Sequence, residues 1–341
     1  MHPLNTLNDW LPVIFAAIMG LSMLAYVVLD GYDLGVGILL RRAGSSDKDK
    51  MISSIGPFWD ANETWLVLSV GILLTCFPEA HGVIFGALYL PVSVMLLGLM
   101  LRGVSFDFRS KAQADQKERW NFLFYAGSFL TALAQGWMLG STILGFNQSW
   151  SAYVFSGLIS VCMVSGYALL GATWLVLKTE GELQLHAVRW ARGALWLTVL
   201  GVAAVSIATP LISQEIFDKW FKLPYIVLLL PVPVATITLI FIIERSLRRL
   251  PTRLAAQNHY GDWIPFACTV GVFFCAFYGL AYSLFPYLVV NRMTVWQAAS
   301  APESLRLILA GAAVVLPAII GYTIFSYRVF GGKARDLTYG A

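Results

Sequence analysis

Charge, histidine and patterned cysteine are all scarce in this chain of 341 residues. Only 12% of the residues are charged, whereas 58% are hydrophobic. A water-soluble domain needs far less apolar sequence than this to fill one core, so water is excluded as the main solvent. The net charge of +4 is a mild basic excess. Because the basic residues concentrate in loops on one side of the predicted membrane, we expect no nucleic-acid partner.

Residues that commonly bind metals are also few. The four cysteines lie inside apolar runs, and none belongs to a CxxC or Cys/His pattern, which indicates packed small side chains. None of the four histidines is near the middle of an apolar run, because His2 lies at the terminus and the other three are predicted in loops, namely His81, His186 and His259. Haem iron and membrane copper are commonly held by histidine, so we expect this chain to bind no haem or other metal by itself.

Nine apolar runs are long enough to cross a bilayer, for which a helix needs about 20 residues. They are continuously apolar and do not alternate, which favours helices over barrel strands. The runs cover residues 11–40, 61–77, 82–105, 121–143, 151–177, 191–213, 224–243, 263–286 and 304–330. We therefore predict an all-α integral membrane protein with about nine transmembrane helices. The first ten residues contain no Lys or Arg, so we expect the first helix to remain as an anchor.

The basic residues predict the orientation of the chain. Three lie in the loops of one side, namely Lys219, Lys222 and Arg292. Eighteen of the 23 lie in the other set, namely Arg41, Arg42, Lys48, Lys50, Arg109, Lys111, Lys117, Arg119, Lys178, Arg189, Arg192, Arg245, Arg248, Arg249, Arg253, Arg328, Lys333 and Arg335. This asymmetry places the second set in the cytoplasm. We predict a periplasmic N-terminus, a cytoplasmic C-terminus and an odd number of crossings.

The loops are short, so residues 1–341 are predicted to form a single polytopic membrane domain. Nine helices would allow two four-helix bundles plus one extra helix. The halves would then be 1–143 and 151–286, with the extra helix at 304–330.

Two acidic residues stand out in the first run. Asp30 and Asp33 lie in the motif DGYDLGVG, three residues apart and so on one face of a helix. A charge near mid-membrane costs roughly 2.5–3.5 kcal/mol on insertion scales, which favours a functional role. The alternative is that Gly31, Gly35 and Gly37 loosen the end of the helix and let both carboxylates reach water.

The next two runs bring more polar residues to the same depth. The second opens with GPFWDANETW, which places Asp60 and Glu63 on one face, although acidic residues at a helix N-terminus are also common without any chemistry. The third ends with LRGVSFDFRSK, where Arg102 is a natural counter-ion for a buried aspartate and Asp107 follows it. Carboxylates on adjacent helices are expected of a route for protons or cations.

Four motifs together resemble subunit II of the bacterial cytochrome bd quinol oxidases, and their order and spacing match that family over the first half of the chain. They are DGYDLGVG, GPFWDANETW, RGVSFDFRSK and the later EGEL at residues 180–183. The chain departs from the family at Glu63, where several other polar residues would fit. It is also shorter than the longest members.

The resemblance implies a complex in the bacterial inner membrane that oxidises quinol and reduces oxygen to water with protons from the cytoplasm. Subunit I, the expected partner, would hold two haems b and one haem d, whereas subunit II would hold none. A small single-helix subunit, lipid and quinone are further possible partners. By the resemblance, Asp33, Asp60 and Asp107 match acidic positions of the proton-entry region, with Asp30 and Arg102 beside them.

Two other classes of protein fit the same residues. A proton-coupled secondary transporter could also place carboxylates on adjacent helices, and Pro231, Pro233 and Pro317 offer the broken helices that such proteins use. A structural scaffold could use the acidic motifs for assembly alone.

Overall fold

The computed structural model describes residues 6–113, 116–222, 225–256 and 259–334, and almost all of these are helical. The helices are α1 (Leu7–Leu39), α2 (Ser45–Ile55), α3 (Trp59–Cys76), α4 (Pro78–Lys111), α5 (Lys117–Ile143), α6 (Trp150–Lys178), α7 (Gly181–Ile212), α8 (Gln214–Phe221), α9 (Tyr225–Leu229), α10 (Pro231–Ala255), α11 (Ile264–Leu284), α12 (Val295–Ala298) and α13 (Pro302–Val329). A 3-10 turn, Leu40–Arg42, follows α1, and a small antiparallel hairpin joins β1 (Tyr287–Val289) to β2 (Met293–Thr294).

Seven helices of the described residues are long and apolar enough to cross a membrane: α1, α4, α5, α6, α7, α11 and α13. They lie at seven of the nine predicted spans, so the protein is an all-α, multi-pass membrane protein. The other two predicted spans, 61–77 and 224–243, lie on α3 and α10. Helix α3 has only 18 residues and opens with acidic side chains, and α10 ends in a run of arginines, so neither is among the seven long apolar helices.

Several helices continue beyond the apolar runs that predicted them. Helix α7 begins at Gly181, ten residues before the predicted span 191–213. Helix α4 ends at Lys111 instead of 105. Contacts at the helix ends support such polar extensions, as where Arg109 of α4 donates to Asp49 of α2. The short elements α2, α8, α12 and the hairpin were not predicted, because none is a long apolar run.

The helices pack in two groups that meet along α6. In the first group, α3 packs on α1 and α4, and α5 packs on α1 and α4. In the second, α7 packs on α6 and α10, and α11 packs on α6 and α10. Helix α6 contacts α1 and α5 of the first group, and α13 lies against α1 and α3. The interior of the first group is therefore lined by side chains from α1, α3, α4 and α5.

Small residues let the central helices approach at the level of their backbones. A Cβ atom on Gly35 of α1 would lie 1.8 Å from the carbonyl oxygen of Tyr167 and 2.7 Å from the amide nitrogen of Gly171, both on α6. Such contacts are typical of helix packing in membranes. Helix α1 is continuous to Leu39, so the alternative of a loosened helix end at Asp30 and Asp33 is wrong. The glycines serve close packing instead.

Candidate functional site

Four of the six predicted site residues meet in the interior. On α4, Arg102 Nη1 lies 2.5 Å from Asp30 Oδ1 and Nη2 lies 3.7 Å from Asp33 Oδ2, both aspartates being on α1. The same Nη1 lies 3.4 Å from Glu63 Oε1 on α3. The side chains of Arg102, Asp30 and Asp33 are fully buried, whereas that of Glu63 is 29% exposed. The predicted ion pair between Arg102 and a buried aspartate is therefore confirmed.

We call Asp30, Asp33, Glu63 and Arg102 the acidic cluster. One guanidinium faces three carboxylates in it, so its positive charge neutralises only one of them. Carboxylates that share a site cannot all ionise easily, because like charges at close range repel strongly where water is excluded. The acidic cluster therefore contains two carboxylates more than its one guanidinium can neutralise.

A first polar arm extends from Asp33. The side-chain amide of Asn62 on α3 donates to Asp33 Oδ2 at 2.8 Å and lies 2.9 Å from the hydroxyl of Tyr32. The Tyr32 hydroxyl lies 2.5 Å from that of Tyr327 on α13. Tyr327 in turn donates to Asn62 Oδ1 at 3.2 Å. Helix α13 thus contributes to a site that the first three membrane helices otherwise build.

A second polar arm extends from Asp30. The Tyr26 hydroxyl interacts with the Asp30 carboxylate and accepts a hydrogen bond from Gln135 Nε2 on α5 at 2.7 Å. Gln135 Oε1 accepts from the Tyr167 hydroxyl on α6 at 2.5 Å. All three side chains are buried. The second arm therefore brings two tyrosine hydroxyls and one amide to the Asp30 side of the acidic cluster.

Sequence reasoning missed most of the residues in these arms. Tyr26 precedes Asp30 by four residues and so shares its helical face, which is a signal that could have been used. Tyr167, Gln135 and Tyr327 gave no such signal, because each is an ordinary polar residue in a run that is otherwise apolar.

The two remaining predicted residues lie apart from the acidic cluster. Asp60 is exposed in the first turn of α3, although it is close enough to Glu63 to act on it electrostatically. Asp107 is exposed towards the C-terminal end of α4. The structure therefore separates the six residues into a buried group of four and two carboxylates outside it.

The described histidines lie at the ends of the molecule. His81 was predicted in a loop but belongs to the first turns of α4, where its ring lies 4.6 Å from that of Phe85. His186 was also predicted in a loop but belongs to α7, which begins before its apolar run, and it faces Asp47. His259 lies between α10 and α11, and His2 lies outside the described residues.

Within the described residues, no three His, Cys, Asp or Glu side chains form a group that could hold a metal ion. The acidic cluster and its arms offer carboxylate, hydroxyl, amide and guanidinium groups. These suit protons and do not match the ligands of haem iron.

Known proteins resemble this chain in fold and in sequence. The solved structure of bd oxidase from Geobacillus thermodenitrificans matches with a TM-score of 0.75 at 18% identity, covering 94% of this chain and 98% of that one. Cytochrome bd ubiquinol oxidase subunit 2 of Bacillus subtilis is 28% identical, with 92% of this chain and 94% of the relative covered. Cytochrome bd-I ubiquinol oxidase subunit 2 of Escherichia coli K12 is 25% identical, with 94% of each chain covered.

These similarities give no support to the transporter alternative. The family model described as cytochrome bd terminal oxidase subunit II matches residues 11–330, which is nearly the whole chain. The chain therefore belongs to the cytochrome bd terminal oxidase subunit II family.

Proposed function

We propose that this chain is the haem-free subunit II of a cytochrome bd-type quinol:oxygen oxidoreductase in the bacterial inner membrane. The names of its full-length relatives in Bacillus subtilis and Escherichia coli, ubiquinol oxidase subunit 2, support this assignment. The partner is subunit I, which would hold two haems b and one haem d. Those haems supply the electron transfer from quinol to oxygen. The present chain supports subunit I, with a small single-helix subunit and lipid as further neighbours.

In this proposal the chain crosses the membrane nine times, with α3 and α10 completing the seven more apolar helices. The odd number agrees with basic loops on one side, a periplasmic N-terminus and a cytoplasmic C-terminus. The packing of α1 with α3 to α5, and of α6 with α7, α10 and α11, supports two four-helix bundles. Helix α13 is then the extra helix.

The chain also contributes a cytoplasmic entry path for the protons of oxygen reduction. One observation carries this part of the proposal: a buried arginine faces three carboxylates, of which only Glu63 reaches the surface. Asp107 and Asp60 are exposed and would take up protons first. Glu63 would then pass these protons from Asp60 to the buried carboxylates of the acidic cluster. The partly shielded position of Glu63 is what a proton-relay carboxylate needs.

Glu63→Gln in the assembled complex tests the entry path, with Glu79→Gln at the opposite end of the helices as the matched control. The amide keeps the size of the side chain but removes the proton-carrying group. We expect oxygen consumption to fall at least about tenfold with an unchanged haem spectrum. Equal turnover in both variants would show that Glu63 carries no protons.

Purification of the tagged chain in mild detergent tests the subunit assignment. A visible spectrum and a gel are recorded on the same sample. Co-purifying haem and a larger polytopic partner are expected. A colourless single chain with proton-coupled transport would contradict the assignment.

A further inference from the structure

Three side chains from three helices form a closed ring of hydrogen bonds beside the acidic cluster. They are Tyr32 on α1, Asn62 on α3 and Tyr327 on α13. The ring is closed by a 2.9 Å contact from Asn62 Nδ2 to the Tyr32 hydroxyl, a 2.5 Å contact between the two hydroxyls and a 3.2 Å contact from Tyr327 to Asn62 Oδ1. We call this set the tyrosine–asparagine ring.

The chemistry of the amide fixes the direction of every bond in the ring. An amide nitrogen only donates and an amide oxygen only accepts. The Tyr32 hydroxyl therefore accepts from Asn62 and gives its own proton to Tyr327. The Tyr327 hydroxyl then gives its proton to Asn62 Oδ1. Each hydroxyl proton has one acceptor, so neither hydroxyl can rotate without breaking the ring.

The ring also fixes what Asn62 presents to Asp33. Asn62 Nδ2 lies 3.2 Å from the carbonyl oxygen of Leu29, but its two shorter contacts direct one N–H at Asp33 Oδ2, at 2.8 Å, and the other at the Tyr32 hydroxyl, at 2.9 Å. Donation to a carboxylate favours its ionised form. A side-chain amide cannot accept a proton and release another as a hydroxyl does, so this arm ends in a donor that holds the carboxylate. The arm is suited to positioning Asp33 beside Arg102 and not to delivering protons to it.

Charged and polar groups from four helices surround Asp33. Asp30 and Tyr32 lie on its own helix, and α3, α4 and α13 bring Glu63, Arg102 and Tyr327, respectively. Helices α5 and α6 also pack on α1, but their polar groups Gln135 and Tyr167 lie on the Asp30 side, in the second arm. Only Arg102 is a cation among these groups.

Helix α13 is suited to carry the ring because it is fixed mainly near its ends. No residue of its most apolar stretch is buried, whereas Ser326 near its cytoplasmic end is. There the ring of Tyr327 stacks on that of Phe58, with 4.6 Å between centroids. Lys178 Nζ of α6 donates to the carbonyl oxygen of Phe330 at 2.8 Å. These contacts hold the Tyr327 hydroxyl at Asn62.

We propose that Tyr327, Tyr32 and Asn62 are positioning residues that hold the Asp33 carboxyl group beside Arg102, so that Glu63 is the carboxyl group of the cluster that receives protons from the surface. The inference rests on the proposed entry path. It gives Asp33 and Glu63 different roles within the acidic cluster. It also assigns a role to the last helix, which lies outside the four motifs.

The test compares Tyr327→Phe, Tyr32→Phe and the double variant in the assembled complex. Tyr322→Phe is the matched control, because Tyr322 lies on the same helix with an exposed side chain. Phenylalanine keeps the ring stacking and removes only the hydroxyl. Oxygen consumption is measured against pH, and the haem spectrum reports assembly. Opening the ring leaves Asn62 free to turn, so the hydrogen bond that holds Asp33 beside Arg102 is weakened.

We expect the pH–rate profile to shift by about 0.5 to 1 pH unit in each single variant, because a hydrogen bond to the acidic cluster is weakened. Because one missing hydroxyl already opens the ring, the double variant should show the same shift as either single one. Tyr322→Phe should leave the profile unchanged. Additive shifts, or profiles that match the unaltered complex, would overturn the ring. Loss of the haem spectrum in Tyr327→Phe would assign the hydroxyl to folding and overturn it as well.

Asp33→Asn and Glu63→Gln, measured in parallel, separate this proposal from the one on which it rests. Unchanged turnover in both would overturn the entry path itself. If turnover fell in Glu63→Gln but the pH–rate profiles of the tyrosine variants did not shift, only the proposed role of the tyrosine–asparagine ring would be contradicted.

Discussion

Arg102 Nη1 lies 2.5 Å from Asp30 Oδ1, and neither side chain has any solvent exposure. The two residues are 72 positions apart in the chain, so this pair ties α4 to α1 in the interior of the membrane domain. The guanidinium also reaches Asp33 and Glu63. Its planar arrangement of donors suits several acceptors at once, which an ammonium group cannot reproduce.

Replacing Arg102 with leucine is expected to be worse than replacing it with lysine. Leucine would leave three carboxylates around a site without a cation, and breaking a buried pair by removing one partner typically costs about 3–5 kcal/mol. Lysine keeps the charge but loses the planar arrangement, so assembly should be only partly reduced. The haem content of each purified variant complex measures its assembly. Equal yields for the two variants would show that the charge of Arg102 is not needed for folding.

Asp60→Asn is expected to slow oxygen consumption several-fold while leaving the haem spectrum largely intact. The substitution keeps size and hydrogen bonding but removes a carboxylate that acts on Glu63. The effect should be smaller than that of Glu63→Gln, because Asp60 is exposed and water can partly replace it. Glu303→Gln, in the first turn of α13 at the other end of the helices, is the control. Normal turnover in Asp60→Asn would remove Asp60 from the path, and loss of all haem would assign it to assembly.

Gly35→Ala is expected to destabilise the chain by about 1–3 kcal/mol, the usual range for overpacking. The new Cβ would lie 1.8 Å from the carbonyl oxygen of Tyr167, which is backbone and cannot rotate away. Helices α1 and α6 would have to separate. Gly193→Ala on α7 is the control, since nothing lies within 4 Å of a Cβ there. The thermal midpoint of haem loss from the complex should fall only in Gly35→Ala, and equal midpoints would contradict the close approach.

The sequence predicted which charged residues lie together better than it predicted which other side chains contact them. Periodicity placed Asp30 and Asp33 on one face, and charge pairing suggested Arg102 as their counter-ion, both in agreement with the structure. Depth alone could not separate Glu63 from Asp60, which differ by one turn of α3. Tyr327 lies 295 residues from Tyr32, and only packing of α13 brings their hydroxyls together. Helical periodicity contains no information on that contact.

The sequence also predicted some parts of the fold better than others. Long apolar runs predicted the seven most apolar helices, because burial in lipid requires such sequences. Their polar extensions and the small elements between them depend on local hydrogen bonds and ion pairs, such as that from Arg109 to Asp49. Two histidines were placed in loops for this reason, although His81 and His186 belong to helices.

The surroundings of the histidines bear on where the haems of the complex are held. His186 faces Asp47 at 3.6 Å, and His259 faces Asp262 at 3.5 Å. Both side chains are more than one third exposed. His81 lies in the first turns of α4, at the end of the chain's helices opposite to these two. An axial haem ligand needs a side chain aimed inward from a rigid helix, whereas His186 and His259 face carboxylates and are partly exposed.

Alanine at each of the four histidines is therefore expected to leave the haem spectrum of the assembled complex unchanged. His81→Ala is the most stringent of these variants, because in the proposed orientation the first turns of α4 lie on the periplasmic side, where a partner subunit can be contacted. Single Met→Leu variants extend the test to the other side chain that ligates haem iron. The spectrum and a gel of the subunit pair are recorded on the same sample, so that a lost ligand is distinguished from a lost partner. If His81→Ala or any Met→Leu variant removed one haem band while the pair stayed together, this chain would share a redox centre with subunit I.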